Sequence, residues 1–210
     1  MTFYRKGKIN QLKLAVIATC AAGAMLVIEA LTDIHKDTFQ DKKLAASQLM
    51  QKAMEAIKEE RLKMGISLDP QVDPNETGLI GVEYTDLTTT SGSLSSKRTS
   101  TNPNFAGVVV DMLLKAGAMA GDGVAINLSG SFPALNIAVL CAVNVFQLNP
   151  VIVSSVGASM YGANLPDLTW LDMERILRNR GILPYKSTMA FLGGIVDSKG
   201  GLGQKGIELG

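Results

Sequence analysis

Four hydrophobic patterns succeed one another along this chain, and each predicts a different element. From Leu12 to Leu31 the residues are apolar or small, with charges only at Lys13 and Glu29 near the two ends. About 20 residues make a helix of about 30 Å, enough to cross a bilayer, and both charged side chains can snorkel outward. Three readings compete for this run: a retained anchor, a cleaved signal and a buried helix. A signal peptide would be cut near Ala22-Gly23-Ala24 and a lipoprotein signal at Cys20, yet the run continues through Met25 to Ile28, which favours the anchor. Arg5, Lys6, Lys8 and Lys13 precede or open the span, whereas Glu29 and Asp33 come before Lys36, Lys42 and Lys43. That modest positive-inside bias puts the N-terminus in the cytoplasm and the body outside.

The second pattern is a narrow stripe from Asp33 to Met64, in which Phe39, Ala46, Met50, Ala53, Ile57 and Met64 recur at spacings of three, four and seven. It predicts a helix, read as a stalk over residues 33–68 that packs its narrow stripe on the body or on a partner helix. Asp69-Pro70 and Asp73-Pro74-Asn75 then mark a hinge. The third pattern is continuous apolarity in short runs. Leu79 to Tyr84, Val124 to Leu128, Val151 to Val153 and Ser187 to Leu192 are expected strands, and unbroken apolarity suits a parallel sheet covered on both faces. The fourth is helical amphipathicity: Asn104 to Lys115 stopped by Gly117, Pro133 to Phe146 opened by proline, and Trp170 to Arg180 opened by Asp167 or Thr169. The polar stretch Thr85 to Thr101 has no periodicity and is either a disordered linker or a functional loop, and its position directly after the first strand favours the loop.

The fold expected is therefore α/β, a mostly parallel sheet with flanking helices, preceded by an N-terminal transmembrane helix and a helical stalk. Its parts are an N-terminal tail and anchor (residues 1–32), the stalk, an α/β domain over residues 78–195, and a glycine-rich segment from 196 to 210 that reads as the start of a continuing chain.

Composition narrows the chemistry. The chain has 210 residues and a formal net charge of +1, so no overall field recruits nucleic acid. Cys20 and Cys141 read as two free thiols, and His35 is the one histidine. No Ser-His-Asp triad, Cys-His pair or His-rich metal site can be assembled in the body, and neither metal nor cofactor is expected. The run Leu128-Ser129-Gly130-Ser131-Phe132 is not a G-x-S-x-G elbow, because Phe132 stands where the last glycine belongs. Glycine-rich nucleotide signatures between a strand and a helix are also missing.

What remains points to an anion. In an open parallel sheet, ligands bind beyond the carboxyl ends of the strands. Those ends are expected to gather Glu83 to Thr90 after the first strand, Ser129 to Phe132 after the second, Ser154 to Ser159 after the third and Gly193-Gly194 after the fourth, with Ser129, Gly130, Ser131, Ser154 and Ser155 as the candidate ligand contacts and Lys97 and Arg98 reaching in from the polar loop. Backbone N–H groups of the Ser129–Phe132 loop would add donors at a helix N-terminus. Each feature has a plainer reading: Ser129 and Ser131 as helix caps, Lys97 and Arg98 as a solvated pair, Ser154 and Ser155 as a strand end. For catalysis, Ser131 and Glu83 are the residues to test first, while Asp111, Asp172 and Glu174 read as surface groups or caps on helices.

The segments GLIGVEYTDLTTTSGSLSSKRTSTNPNFAGVVVDMLLKAG and INLSGSFPALNIAVLCAVNVFQLNPVIVSSVGASMYGANLPDLTWLDMERIL, from Gly78 to Leu177, resemble the family called poly-gamma-glutamate system proteins. The strings SGSFPALNIA, SSVGASMYGAN and TWLDMER carry the likeness. The resemblance implies a protein of the bacterial plasma membrane, single-pass and with its main domain extracytoplasmic, that accompanies the synthase and export proteins of an anionic capsule polymer. It implies an accessory component of poly-gamma-glutamate synthesis or export. A hydrolase or transferase of gamma-glutamyl chains and a structural membrane scaffold are the alternatives.

Overall fold

The computed structural model describes residues 11–31 and 39–193. Asp33 to Thr38, with His35, the flank before Gln11, Gly194 and the segment from 196 onward lie outside the described residues. The chain divides into two compact units, residues 1–38 and residues 39–210.

In the first unit, α1 runs Gln11–Leu31. Its window Gln11–Glu29 is long and apolar enough to cross a membrane and none of it is buried. Such a helix serves equally as a retained anchor or as a signal sequence. The one hydroxyl inside the run is satisfied within the helix, since Thr19 Oγ1 donates to the Ala15 carbonyl at 2.9 Å, as a lipid environment requires.

The second unit is mixed α/β. Its elements are α2 (Gln40–Lys63), β1 (Thr88–Thr90), α3 (Leu94–Ser100), α4 (Asn104–Lys115), β2 (Gly123–Ser129), α5 (Pro133–Phe146), β3 (Asn149–Ser155), β4 (Ala158–Ser159), β5 (Asn164–Leu165), β6 (Leu168–Thr169), α6 (Trp170–Asn179) and β7 (Met189–Phe191). The main sheet has the order β2-β3-β7, all parallel, with β2 and β3 in register from Gly123 opposite Asn149 to Ser129 opposite Ser155. Beyond it, β1 pairs in parallel with β4, and β5 with β6 antiparallel.

Local signals explain the helices. Pro133 occupies the first turn of α5, and Gln147 closes it in the left-handed region at φ 57°, its N–H reaching the Asn144 carbonyl. Thr169 and Asp172 form a reciprocal capping box on α6. The stripe on α2 is not that of a separate stalk. Met50, Ala53 and Ile57 are fully buried in one core with Ile137, Cys141 and Trp170, and α2 packs on α4, α5 and α6. Of the two packings expected for the stripe, on the body or on a partner helix, it is the body that receives it, and α2 belongs to the same compact unit as the sheet.

Three further expectations are corrected. Leu79 to Tyr84 pairs with no strand. Arg61 donates to the carbonyls of Gly78 at 3.0 Å and Ile80 at 2.6 Å, the Asn164 amide brackets Val82, and the Tyr161 backbone accepts from the Gly81 N–H at 3.2 Å and donates to the Val82 carbonyl at 2.8 Å, so side chains and one loop peptide stand in for the ladder. Gly81 is what admits them, because a Cβ there would meet Asn164 Oδ1 and the Gly162 carbonyl at 2.2 Å. The polar stretch from Thr85 to Thr101 is ordered, holding β1 and α3, with Ser93 capping α3. The sheet is covered on one face: Leu128, Ile152 and Ser154 are buried on the helix side, whereas Ala125, Asn127, Val151 and Met189 are exposed among the described residues.

Candidate functional site

The carboxyl ends of β1, β2, β3 and β7 surround a cavity of about 420 Å³. Thr89, Thr90, Ser129, Ser131, Ser155, Gly157 and Gly193 line it, with Asn127 and Phe191 at the open sheet face. Three of the expected ligand-binding serines, Ser129, Ser131 and Ser155, thus come together from two adjacent strands and the turn between β2 and α5.

The turn itself behaves differently from its sequence-based reading. Gly130 N–H donates to the Ser155 carbonyl at 3.3 Å, Ser131 N–H to Ser129 Oγ at 3.2 Å, and Phe132 N–H to the Ser129 carbonyl at 3.4 Å. The backbone donors expected to face a ligand are therefore already used, and the loop offers hydroxyls instead. Gly130 serves close packing, since a Cβ there would stand 2.9 Å from the Val156 carbonyl. Neither serine caps α5: the N-cap residue is Phe132, without a side-chain cap bond, and Ser131 Oγ accepts from the Ser159 N–H at 3.0 Å.

Lys97 is the second correction, and the most informative one. It is no solvated surface group but only 3% exposed, pointing inward from α3. Its Nζ donates to the Ser131 carbonyl and, at 2.7 Å, contacts Ser159 Oγ, and it lies 3.7 Å from the centroid of the Phe132 ring. Among the described residues no carboxylate pairs with it. Removal from water disfavours the ammonium and brings its pKa down to about 8. A positive charge without a counter-ion among the described residues therefore sits one residue behind the Ser131 wall of the cavity. A burial this costly calls for an anion nearby or for a chemical use of the amine.

The remaining expected site residues fall elsewhere. Ser154 is fully buried on the helix face, where its hydroxyl meets Ser187 Oγ at 2.7 Å and accepts from the Trp170 indole at 3.2 Å. Glu174, expected at the surface, is buried and accepts from both the N–H and the hydroxyl of Ser187. Arg98 donates to the carbonyls of Val72 and Gln71, holding the hinge segment rather than the cavity. Glu83 lines a separate cavity with Arg61, Asp69, Asp73 and Tyr161. Asp111 is bound by Lys43 and Lys115, which hold its carboxyl down at about 2, and Asp172 is the α6 cap. Cys20 and Cys141 are both free, and burial pushes the Cys141 thiol up to about 12.

Thr89, Thr90 and Gly157 line the site and fall within the strand exits Glu83 to Thr90 and Ser154 to Ser159 expected there, without having been named as ligand contacts, and Ser159 stands behind the lining with its N–H bonded to Ser131. Their signal was membership of two polar segments rich in small residues, and it took the β1–β4 pairing to bring those segments together. No family model, curated protein or solved structure matches the chain.

Proposed function

We propose that the crevice binds the carboxylates of gamma-glutamyl chains, and that the protein is a membrane-anchored accessory component of bacterial poly-gamma-glutamate synthesis or export. In this reading α1 is retained as a single-pass anchor in the plasma membrane, the body stands outside it, and the partners are the synthase and export proteins and the anionic polymer. The observation that carries the proposal is the Lys97 ammonium, buried with no carboxylate partner among the described residues beside a cavity whose lining supplies the hydroxyls of Ser129, Ser131, Ser155, Thr89 and Thr90. Hydroxyls donate to a carboxylate, and a cation in a low-dielectric wall attracts it more strongly than one in water. The length and apolarity of α1 support the anchor, and the sequence resemblance supports the polymer.

The test is binding of short gamma-glutamate oligomers to the full chain in mild detergent, measured by calorimetry at two salt concentrations. Binding at low salt that weakens at high salt is expected, because the attraction is screened. Absence of binding at low salt removes the ligand and leaves a membrane scaffold.

A further inference from the structure

We propose that Ser159 and Lys97 form a nucleophile and base pair that cleaves or transfers amide bonds in a carboxylate-rich chain at the crevice wall. Lys97 Nζ stands 2.7 Å from Ser159 Oγ, within reach of proton transfer. With its pKa brought to about 8 by burial, the amine has a substantial neutral fraction close to neutral pH, which an ordinary surface lysine lacks. Ser131, the nucleophile expected from sequence, has no such base: its hydroxyl accepts from the Ser159 backbone N–H.

Position favours Ser159 as well. It is 7% exposed, its register partner Thr90 lines the crevice, and Ser131, to which its N–H is bonded, lines it too. The residue beside its hydroxyl is Gly92, where a Cβ would lie 3.1 Å from Ser159 Oγ and 2.6 Å from the Met160 carbonyl. Glycine at that point keeps a side chain off the hydroxyl. In the step proposed, neutral Lys97 takes the Ser159 proton as Oγ adds to the amide carbonyl carbon. The C–N bond then breaks, and Lys97 gives that proton to the departing amine, leaving an ester on Ser159. Water or an incoming amine adds to the ester, passes a proton to Lys97, and Ser159 Oγ recovers it as the C–O bond breaks.

The choice of substrate class rests on the gamma-glutamyl reading above; the pairing of base and hydroxyl does not. The experiment treats the full chain in detergent with a fluorescent fluorophosphonate, maps the modified peptide by mass spectrometry, and measures oligomer binding on the same preparation. Phosphonylation at Ser159 is expected, about tenfold faster at pH 9 than at pH 7, following the neutral fraction of Lys97. Ser159→Ala, which keeps the backbone N–H to Ser131 and whose fold is checked by circular dichroism, should not be labelled. Wild-type protein that binds oligomers but is not modified at Ser159 overturns the pair and leaves the crevice standing. Modification at Ser159 without oligomer binding supports the pair and removes the gamma-glutamyl assignment. Labelling that persists in Ser159→Ala overturns the pair as well.

Discussion

The ammonium of Lys97 lies 3.7 Å from the centre of the ring of Phe132, the residue just ahead of α5. The ring face substitutes for part of the hydration that burial removes, a contribution of about 1–2 kcal/mol for a desolvated pair. Phe132→Leu keeps the apolar bulk and loses the ring quadrupole. A loss of about 1–2 kcal/mol in urea denaturation is expected, with no loss for the same substitution made in a Lys97→Met background.

Stability should also carry the signature of this lysine. Its folded pKa, about 8, lies below the ordinary value of 10.5, so between those pH values the unfolded chain holds a proton that the folded chain has released. Folded stability therefore rises with pH across that window, and the penalty is fully present below pH 8. The gain amounts to about 3 kcal/mol, less whatever the unfolded state recovers. The stability difference between wild type and Lys97→Met, measured from pH 7 to pH 10.5, is expected to shift in favour of wild type as pH rises. A difference independent of pH would contradict the burial of an uncompensated charge.

Asn164 replaces a missing strand along Val82, accepting from its N–H at 3.1 Å and donating to its carbonyl at 2.8 Å while also donating to Thr88 Oγ1 at 2.9 Å. Asn164→Ala leaves the Val82 N–H without its partner, while the Val82 carbonyl keeps the Tyr161 N–H and Thr88 Oγ1 keeps the Thr85 N–H, and should lower unfolding free energy by about 1–3 kcal/mol. Because Thr85 Oγ1 and Thr88 organise the approach to β1, hydrogen exchange of the amides from Thr85 to Thr90 is expected to accelerate in the same variant.

Ser154→Ala and Arg98→Ala separate the site from its surroundings. Ser154 faces Trp170 and Ser187, and Arg98 holds the Gln71–Val72 backbone, so oligomer affinity should stay within twofold of wild type in both. Stability should fall in both, by about 1–3 kcal/mol for the buried Ser154 hydroxyl with its two partners.

The elements around β2, α5 and β3 were legible in the sequence because their signals are local: proline at the first turn of α5, apolar runs of strand length, and a threonine three residues ahead of Asp172. The membrane-length helix was legible for the same reason. What escaped was tertiary. Leu79 to Tyr84 has the composition of a strand, yet its hydrogen bonds go to Arg61, Asn164 and the Tyr161 backbone, and no rule of periodicity pairs a peptide with a side chain 82 positions away. Lys97 and Arg98 are adjacent and alike in sequence, but the short helix α3 turns one inward and sends the other to the hinge. The serines divided likewise: Ser154 and Ser155 are neighbours, and the pleat of β3 puts the first against Trp170 and the second in the crevice.

Affinity for gamma-glutamate oligomers as a function of pH, in wild type and in Lys97→Met, joins the charge to the crevice in one experiment. If the protonated lysine draws the ligand, wild-type affinity at low salt falls about tenfold between pH 7 and pH 9, following the protonated fraction of a group near pKa 8. Lys97→Met should bind weakly and without that dependence. Equal affinity in the two proteins, or a wild-type affinity that does not change over this range, would contradict a ligand site organised by Lys97.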